Sequence, residues 1–190
     1  MKYLKILLAI VAALVLAVLV YAMTLPSDIS ISRTIKINVP QSYAFDYLYD
    51  LKNWEEWTTW KEFDSTLVYS YPGNTEGEGA TQKWNGEFSE AAALTFKSIS
   101  APDKINFNLE WNKGETSFSG YIKTKNMDDN HTSIEWVHYK DIGWNPFMRI
   151  LGSMLDNVMG PNFEKGLKNL KKKLELKYNV ENKNINVVSN

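Results

Sequence analysis

The N-terminal segment of the chain is continuously apolar. No charged residue occurs from Ile6 to Ser27, and the centre of this run, ILLAIVAALVLAVLV, is aliphatic throughout. About 20 apolar residues are enough for a helix to cross a bilayer. The run has no polar stripe, which argues against a buried helix of a soluble domain. Residues 1–27 are therefore predicted to form a membrane anchor.

The residues that flank this segment predict its orientation. Lys2 and Lys5 precede the apolar run, and positive residues tend to stay in the cytoplasm. We therefore expect a cytoplasmic N-terminus and an extracytoplasmic domain after the anchor. The alternative is a cleaved signal peptide, because VYA at Val20–Ala22 resembles a cleavage site.

After the anchor, the pattern changes from strand periodicity to helix periodicity. ISRTIKINV alternates as a strand does, and Pro40 ends it. QSYAFDYLYDL then has the apolar spacing of a helix. Trp54, Trp57 and Trp60 recur at every third position, so they share one face of a short helix or tight turn.

Beyond Asp64 the apolar positions recur with the period of two that is typical of strands. DKINFNLEWN alternates without exception, and the Asn-Gly pair in GEGATQKWNG marks a hairpin. Six strands with short turns between them predict an antiparallel meander.

The last predicted element is a long amphipathic helix. Gly160-Pro161 is predicted to interrupt it, so the methionine-bearing half before the break is a candidate mobile lid. The Asn-rich segment 179–190 is predicted to be a flexible tail. The apolar face of the second half consists of Phe163, Leu167, Leu170 and Leu174.

Together these elements predict an α+β domain over residues 28–178, which is the size of one domain. A curved antiparallel sheet and the long C-terminal helix would bury each other's apolar faces. A strongly bent sheet around a helix leaves a cavity between the layers, where small ligands usually bind.

Composition and charge narrow the classes of function. The 190 residues carry a formal net charge of −1, which gives no electrostatic footprint for nucleic acid. The chain has no cysteine, so disulfides and thiol nucleophiles are excluded. His131 and His138 are the only histidines, too few for a histidine-based zinc site. We therefore predict neither a metal nor a cofactor.

Four stretches of the sequence resemble the START-like helix-grip superfamily, also called SRPBCC, and within it the polyketide cyclase/dehydrase and lipid transport group. They are RTIKINVPQSYAFDYLYDLKNWEEWTTW, GEGATQKWNG, HTSIEW and NFEKGLKNLKKKLE, within about residues 30–176. The resemblance implies a helix-grip fold with the tryptophan segment beside the cavity mouth. It says little about function, because this fold hosts transporters, cyclases, hydrolases and plain binders.

Two features of the chain depart from this family's pattern. Thr58 and Thr59 stand where a proline is frequent, which could reshape the cavity mouth. Ala91, Ala92 and Ala93 stand where glycine is frequent, which would narrow the interior slightly.

Candidate ligand-binding residues come from three places. They are the strand positions that alternate toward the helix, the tryptophan segment, and the apolar face of the long helix. For the tryptophans, core packing and ligand contact are both open. The candidates are Trp57, Trp60, Phe88, Leu94, Phe96, Phe107, Leu109, Trp111, Phe118, Ile122, Trp136, Met154 and Leu155.

Three polar residues share the inward parity and are weak catalytic candidates: Glu90, His138 and Gln82. A carboxylate in an apolar pocket has a raised pKa and can act as an acid or base. The simpler interpretations are a hydrogen-bonded histidine at a strand end and a glutamate that reaches water at the sheet edge.

The sequence thus supports three hypotheses. The first is a membrane-anchored binder of a hydrophobic small molecule or lipid. The second is a cyclase or dehydratase that acts on a polyketide-like substrate through Glu90, His138 and Gln82. The third is a non-catalytic stress or regulatory module that binds a protein through its tryptophan-rich surface.

Overall fold

A computed structural model describes residues 1–188 of the chain. Its α-helices are α1 (Lys2–Thr24), α2 (Gln41–Tyr49), α3 (Trp60–Phe63) and α4 (Pro146–Val188). Its strands are β1 (Asp28–Ile37), β2 (Val68–Ser70), β3 (Thr81–Asn85), β4 (Ala92–Ser100), β5 (Lys104–Trp111), β6 (Thr116–Asp128) and β7 (His131–Asp141). Short 3₁₀ helices lie at Leu51–Glu56 and Asn112–Gly114.

The seven strands form one antiparallel sheet in the order β1-β7-β6-β5-β4-β3-β2. Each strand from β2 to β6 pairs with the next one along the chain. Strand β1 pairs with β7 along its whole length, from Asp28 opposite Asp141 to Ile37 opposite Thr132. This arrangement confirms the predicted α+β fold, a curved antiparallel sheet with a long C-terminal helix.

The core lies between the sheet and the middle of α4. The predicted helix face is buried, and its four residues pack with the inward side chains of the strands. Inside this core, Trp136 of β7 stacks on Phe163 with ring centroids 4.2 Å apart. Gly166 of α4 lies under the same indole, because a Cβ at that position would be 3.2 Å from Trp136 Cζ3. The helix therefore approaches β7 closely at Gly166.

The predicted helix break at Gly160-Pro161 is wrong, because α4 continues through both residues. Arg33 of β1 crosses the helix at Gly160, where a Cβ would lie 2.7 Å from its guanidinium carbon. There Arg33 pairs with Asp156 at 2.8 Å and with Glu164 at 3.0 Å. Proline has no N–H, so one helical hydrogen bond is missing at Pro161. The ion pairs from Arg33 to Asp156 and Glu164 hold the helix against β1 on both sides of this proline. The hinge on which the lid hypothesis depended is therefore absent from α4.

The helix also continues beyond the predicted end of the domain. Residues 179–188, which the sequence assigns to the tail, are helical. Tyr43 of α2 donates a hydrogen bond to Glu181 at 2.9 Å, so the first turn of this segment contacts the domain. The predicted flexibility of 179–190 stays a prediction.

The end of α1 is attached to the start of α4. Arg149 is 8% exposed, and its guanidinium donates hydrogen bonds to the carbonyl oxygens of Met23 and Leu25, both at 3.1 Å. A third bond runs to the Gly143 carbonyl at 2.9 Å. Carbonyls at a helix C-terminus lack partners within the helix, so Arg149 acts as their cap. Ala22 is fully buried at this junction.

Candidate ligand-binding site

A pocket of about 290 Å³ lies between the sheet and the N-terminal half of α4. Strands β1, β5, β6 and β7 form one wall, α4 forms the other, and α3 borders it. The lining is mostly aromatic and aliphatic, with few polar groups. Its residues are Ile31, Trp60, Glu90, Leu109, Trp111, Thr116, Phe118, Trp136, His138, Leu155, Met159 and Phe163.

Six of the thirteen predicted ligand-binding residues line this pocket. They come from five different elements, α3, β5, β6, β7 and α4, and each of them faces the space between the sheet and the helix, as predicted. That they bind a ligand stays a prediction. The six are Trp60, Leu109, Trp111, Phe118, Trp136 and Leu155.

Five other predicted residues point inward but lie in the packed core beside the pocket. All five are at most 1% exposed. The alternation along a strand shows which side chains face the helix. It does not show which of them pack directly against other side chains and which of them border open space. The five are Trp57, Leu94, Phe96, Phe107 and Ile122.

The predicted inward orientation is wrong for the remaining two residues, Phe88 and Met154, which are 82% and 56% exposed. Strand β4 begins only at Ala92, and Phe88 belongs to the loop before it, where its backbone N–H donates to Asp64 at 3.0 Å. Met154 lies on the outer face of α4. Its neighbour Leu155 faces the pocket instead.

The tryptophan segment is divided between the core and the pocket. Trp54 is fully buried and donates its indole N–H to the Leu48 carbonyl at 2.9 Å. Trp57 is also fully buried and meets Trp136 edge to face, with centroids 4.9 Å apart. Trp60 stacks on Trp84 at 4.3 Å and borders the pocket. One ring of the three is therefore available to a ligand.

His138 lies in the pocket wall as a neutral side chain. It is 5% exposed, and burial lowers its pKa to about 3. Phe107, Trp136 and Phe163 meet the imidazole edge to face, with centroids 4.9 to 5.3 Å away. Its Nε2 has no hydrogen-bond partner within residues 1–188, and neither has the indole nitrogen of Trp136. The wall of the pocket thus holds two buried, neutral hydrogen-bonding nitrogens among aromatic rings.

The three catalytic candidates do not converge on one point. Glu90 lines the pocket but is exposed at its rim. Gln82 is fully buried outside the pocket, where its amide donates to Tyr71 at 2.7 Å and to the Leu51 carbonyl at 3.3 Å. Only His138 lies in the interior wall, and a base whose pKa is about 3 accepts a proton weakly.

The sequence did not predict four of the lining residues as ligand contacts: Ile31, Thr116, Met159 and Phe163. A signal for each was present. Ile31 and Thr116 share the inward parity of their strands, and Met159 and Phe163 follow Leu155 at intervals of four, which places them on one helix face. In the part of the chain that the structure describes, no group of three or more acidic or histidine side chains could hold a metal.

Comparison with known proteins gives this architecture a family. The family model described as polyketide cyclase/dehydrase and lipid transport matches residues 28–175. The chain belongs to this family. The polyketide cyclase/dehydrase and lipid transport domain therefore begins with β1, directly after α1, and includes every residue that lines the pocket. No match was found among curated protein sequences.

Solved structures support the same fold for this family member. A norcoclaurine synthase point mutant from Thalictrum flavum superposes with a TM-score of 0.60 at 11% identity, covering 80% of this chain and 96% of that one. A Thermobifida fusca protein gives 0.59 at 14%, covering 76% and 92%. A Staphylococcus epidermidis protein gives 0.54 at 15%, covering 82% and 95%. At these identities the likeness shows the fold alone.

Proposed function

We propose that this protein is a membrane-anchored domain that binds a hydrophobic small molecule or lipid in the pocket between the sheet and α4. The observation that carries the proposal is the apolar pocket itself. Its volume of about 290 Å³ is just below the range of about 300–1,000 Å³ that is usual for ligand sites, which favours a small ligand. The family to which the chain belongs includes lipid transport in its description.

The chemistry of the lining favours a largely apolar ligand without a net charge at its buried end. Among the lining residues of the described chain, Glu90 alone carries a charge, and it lies at the rim. His138 is neutral at neutral pH because burial lowers its pKa to about 3. A buried ionic group without a partner is costly. The pocket would therefore select mainly by shape.

The other two hypotheses lose support. The enzyme hypothesis needs Glu90, His138 and Gln82 around one substrate, whereas Gln82 lies outside the pocket and Glu90 is exposed. The protein-binding hypothesis needs an exposed tryptophan surface, whereas Trp54 and Trp57 are fully buried. Binding remains the function that the pocket supports best.

Filling the pocket should weaken binding without unfolding the protein. We expect Leu155→Trp to raise the Kd of the full chain, in detergent, for the probe N-phenyl-1-naphthylamine by about ten-fold, which corresponds to about 1.4 kcal/mol. Lipids that co-purify, identified by native mass spectrometry, should be depleted in the same variant. Leu176→Trp is the matched control, because Leu176 lies on the same helix and is 61% exposed.

The control should bind the probe within about two-fold of the wild type, a difference of about 0.4 kcal/mol. Equal affinities for both variants and the wild type, at unchanged melting temperature, would contradict ligand binding in this pocket.

Helix α1 is proposed to anchor the domain, with the N-terminus in the cytoplasm and the pocket outside it. Among residues 1–188, α1 alone is long and apolar enough to cross a membrane, and 6% of its most hydrophobic window is buried. Lys2 and Lys5 at its start favour this orientation. A cleaved signal peptide is the competing interpretation.

Membrane fractionation separates the two interpretations. We expect the full-length chain to remain in the membrane pellet after high-salt and alkaline washes, because α1 would be held by its apolar contacts with lipid. A reporter fused to the C-terminus should be active outside the cytoplasm. Recovery of a soluble product whose N-terminus is Met23 would contradict the anchor and support a cleaved signal peptide.

A further inference from the structure

The N-terminal half of α4 presents an apolar stripe to solvent. Its four residues are 47% to 66% exposed, and they follow one another at the spacing of a helix face. The distance along the helix from the first to the last is about 16 Å, from the usual rise per residue. The stripe residues are Phe147, Leu151, Met154 and Val158.

The opposite face of the same turns is occupied by the domain. Gly152 lies over Ile29 of β1, where a Cβ would be 2.7 Å from the isoleucine side chain, and Asp156 pairs with Arg33. The stripe is therefore an apolar side of this half-helix that neither the sheet nor the pocket uses. Surface patches of this kind on soluble domains usually mark an interaction site.

The position of the stripe next to the end of α1 favours one kind of partner. Arg149, in the first turn of α4, donates hydrogen bonds to the carbonyls of Met23 and Leu25 at the end of α1. Trp144, just before α4, is 78% exposed and lies against the Arg149 guanidinium, 5.4 Å from its ring centre. Tryptophan is enriched where a protein meets the membrane surface. The stripe thus begins where the proposed anchor leaves the bilayer.

We propose that the stripe lies in the interfacial layer of the bilayer that α1 crosses. The proposal rests on the proposed anchoring by α1. Apolar faces of interfacial helices are buried about 5–10 Å into the boundary between headgroups and acyl chains. Leu155 and Met159 of the pocket wall alternate with Leu151 and Val158 along the same turns. Docking therefore holds the helical wall of the pocket at the lipid surface.

The cysteine-free sequence permits a direct test. Met154→Cys and Met127→Cys form a matched pair, because the two methionines are 56% and 53% exposed. Met127 lies near the hairpin between β6 and β7, at the far end of β1 from the anchor, about 30 Å away by the rise of a ten-residue strand. Each variant is labelled with a nitrobenzoxadiazole fluorophore and reconstituted as the full chain in phosphatidylcholine vesicles.

We expect nitroxide groups on the lipids to quench the label at position 154 at least three-fold more strongly than the label at 127. Iodide in the buffer should quench the label at 127 more strongly. Equal quenching of both labels by iodide would overturn docking. A label at 154 that is shielded from iodide but not quenched by the nitroxide lipids would mean that protein covers the stripe, for example a second copy of the chain, and would also overturn it.

A third label separates this proposal from the one on which it rests. Leu14→Cys places the fluorophore in the middle of α1, where nitroxide lipids should quench it if α1 spans the bilayer. A lipid-embedded label at 14 with a water-exposed label at 154 would leave the anchor in place and overturn docking alone. A water-exposed label at 14 would overturn both proposals.

Discussion

Replacing Trp57 by alanine should lower the free energy of unfolding by about 3–5 kcal/mol, the usual cost of removing a large buried aromatic side chain. Trp57 is fully buried and packs against Trp54 and Trp136, with centroid distances of 5.1 and 4.9 Å. The loss would include both the contacts of the indole and the cavity left among these rings. Guanidinium unfolding of the full chain in detergent, followed by far-ultraviolet circular dichroism, measures this change.

Phe88→Ala serves as the control, because its ring is 82% exposed. Its unfolding free energy should change by no more than about 0.5 kcal/mol, as for most surface substitutions. A cost below about 1 kcal/mol for Trp57→Ala would contradict the core assignment, since burial of an indole contributes more than that. The ring would then be a candidate ligand contact again.

The second large effect is expected at Gly120 of β6. A Cβ at this position would lie 2.6 Å from Phe107 Cζ and 2.7 Å from the carbonyl oxygen of Val137. Both neighbours are held in the sheet, so neither can move far without disturbing the core. Gly120→Ala should therefore destabilise the protein by about 1–3 kcal/mol, the usual cost of overpacking.

The same substitution at Gly73 makes a matched control. No atom lies within 4 Å of a Cβ at Gly73, so Gly73→Ala should leave the melting temperature unchanged or raise it slightly by restricting the unfolded chain. If the two variants melt at the same temperature, the close approach of Phe107 to β6 is not present in solution.

The sequence predicted the elements whose pattern depends on one period over many residues. In β5, the strict alternation of DKINFNLEWN corresponds to inward side chains at Ile105, Phe107 and Leu109, all at most 1% exposed. In β1, the same parity holds from Ile31 to Ile37. Such patterns succeed because the sheet and the helix bury one face of each element over its whole length.

The prediction failed where contacts between distant residues decide the local structure. Phe88 fits the parity of the following strand, yet Asp64, 24 positions earlier, binds its backbone N–H and holds it in a loop. Gly160-Pro161 has the composition of a helix end, yet Arg33 from β1 lies across it. Neither partner could be inferred from the local pattern.

The sequence predicted an apolar cavity between the sheet and the long helix, but it did not predict which of the inward-facing residues line that cavity. By the alternation of their strands, Phe96 and Trp111 both face the helix, but only Trp111 borders the pocket. The difference depends on where α4 approaches the sheet, and Gly166 under Trp136 is one such place. Local periodicity contains no information on that distance, so the boundary between the core and the pocket requires the structure.

The cap that Arg149 provides also determines how the domain would meet other molecules. Its guanidinium donates two hydrogen bonds to the end of α1 and a third to Gly143, just before α4, so a buried side chain joins the two helices in addition to the backbone. With α1 in a bilayer, this junction would restrict the tilt of the pocket and its height above the membrane, but not rotation about the membrane normal. Much of the cost of encounter between two proteins is the search for a matching orientation. For a partner held in the same membrane, that search would be restricted to rotation about a single axis.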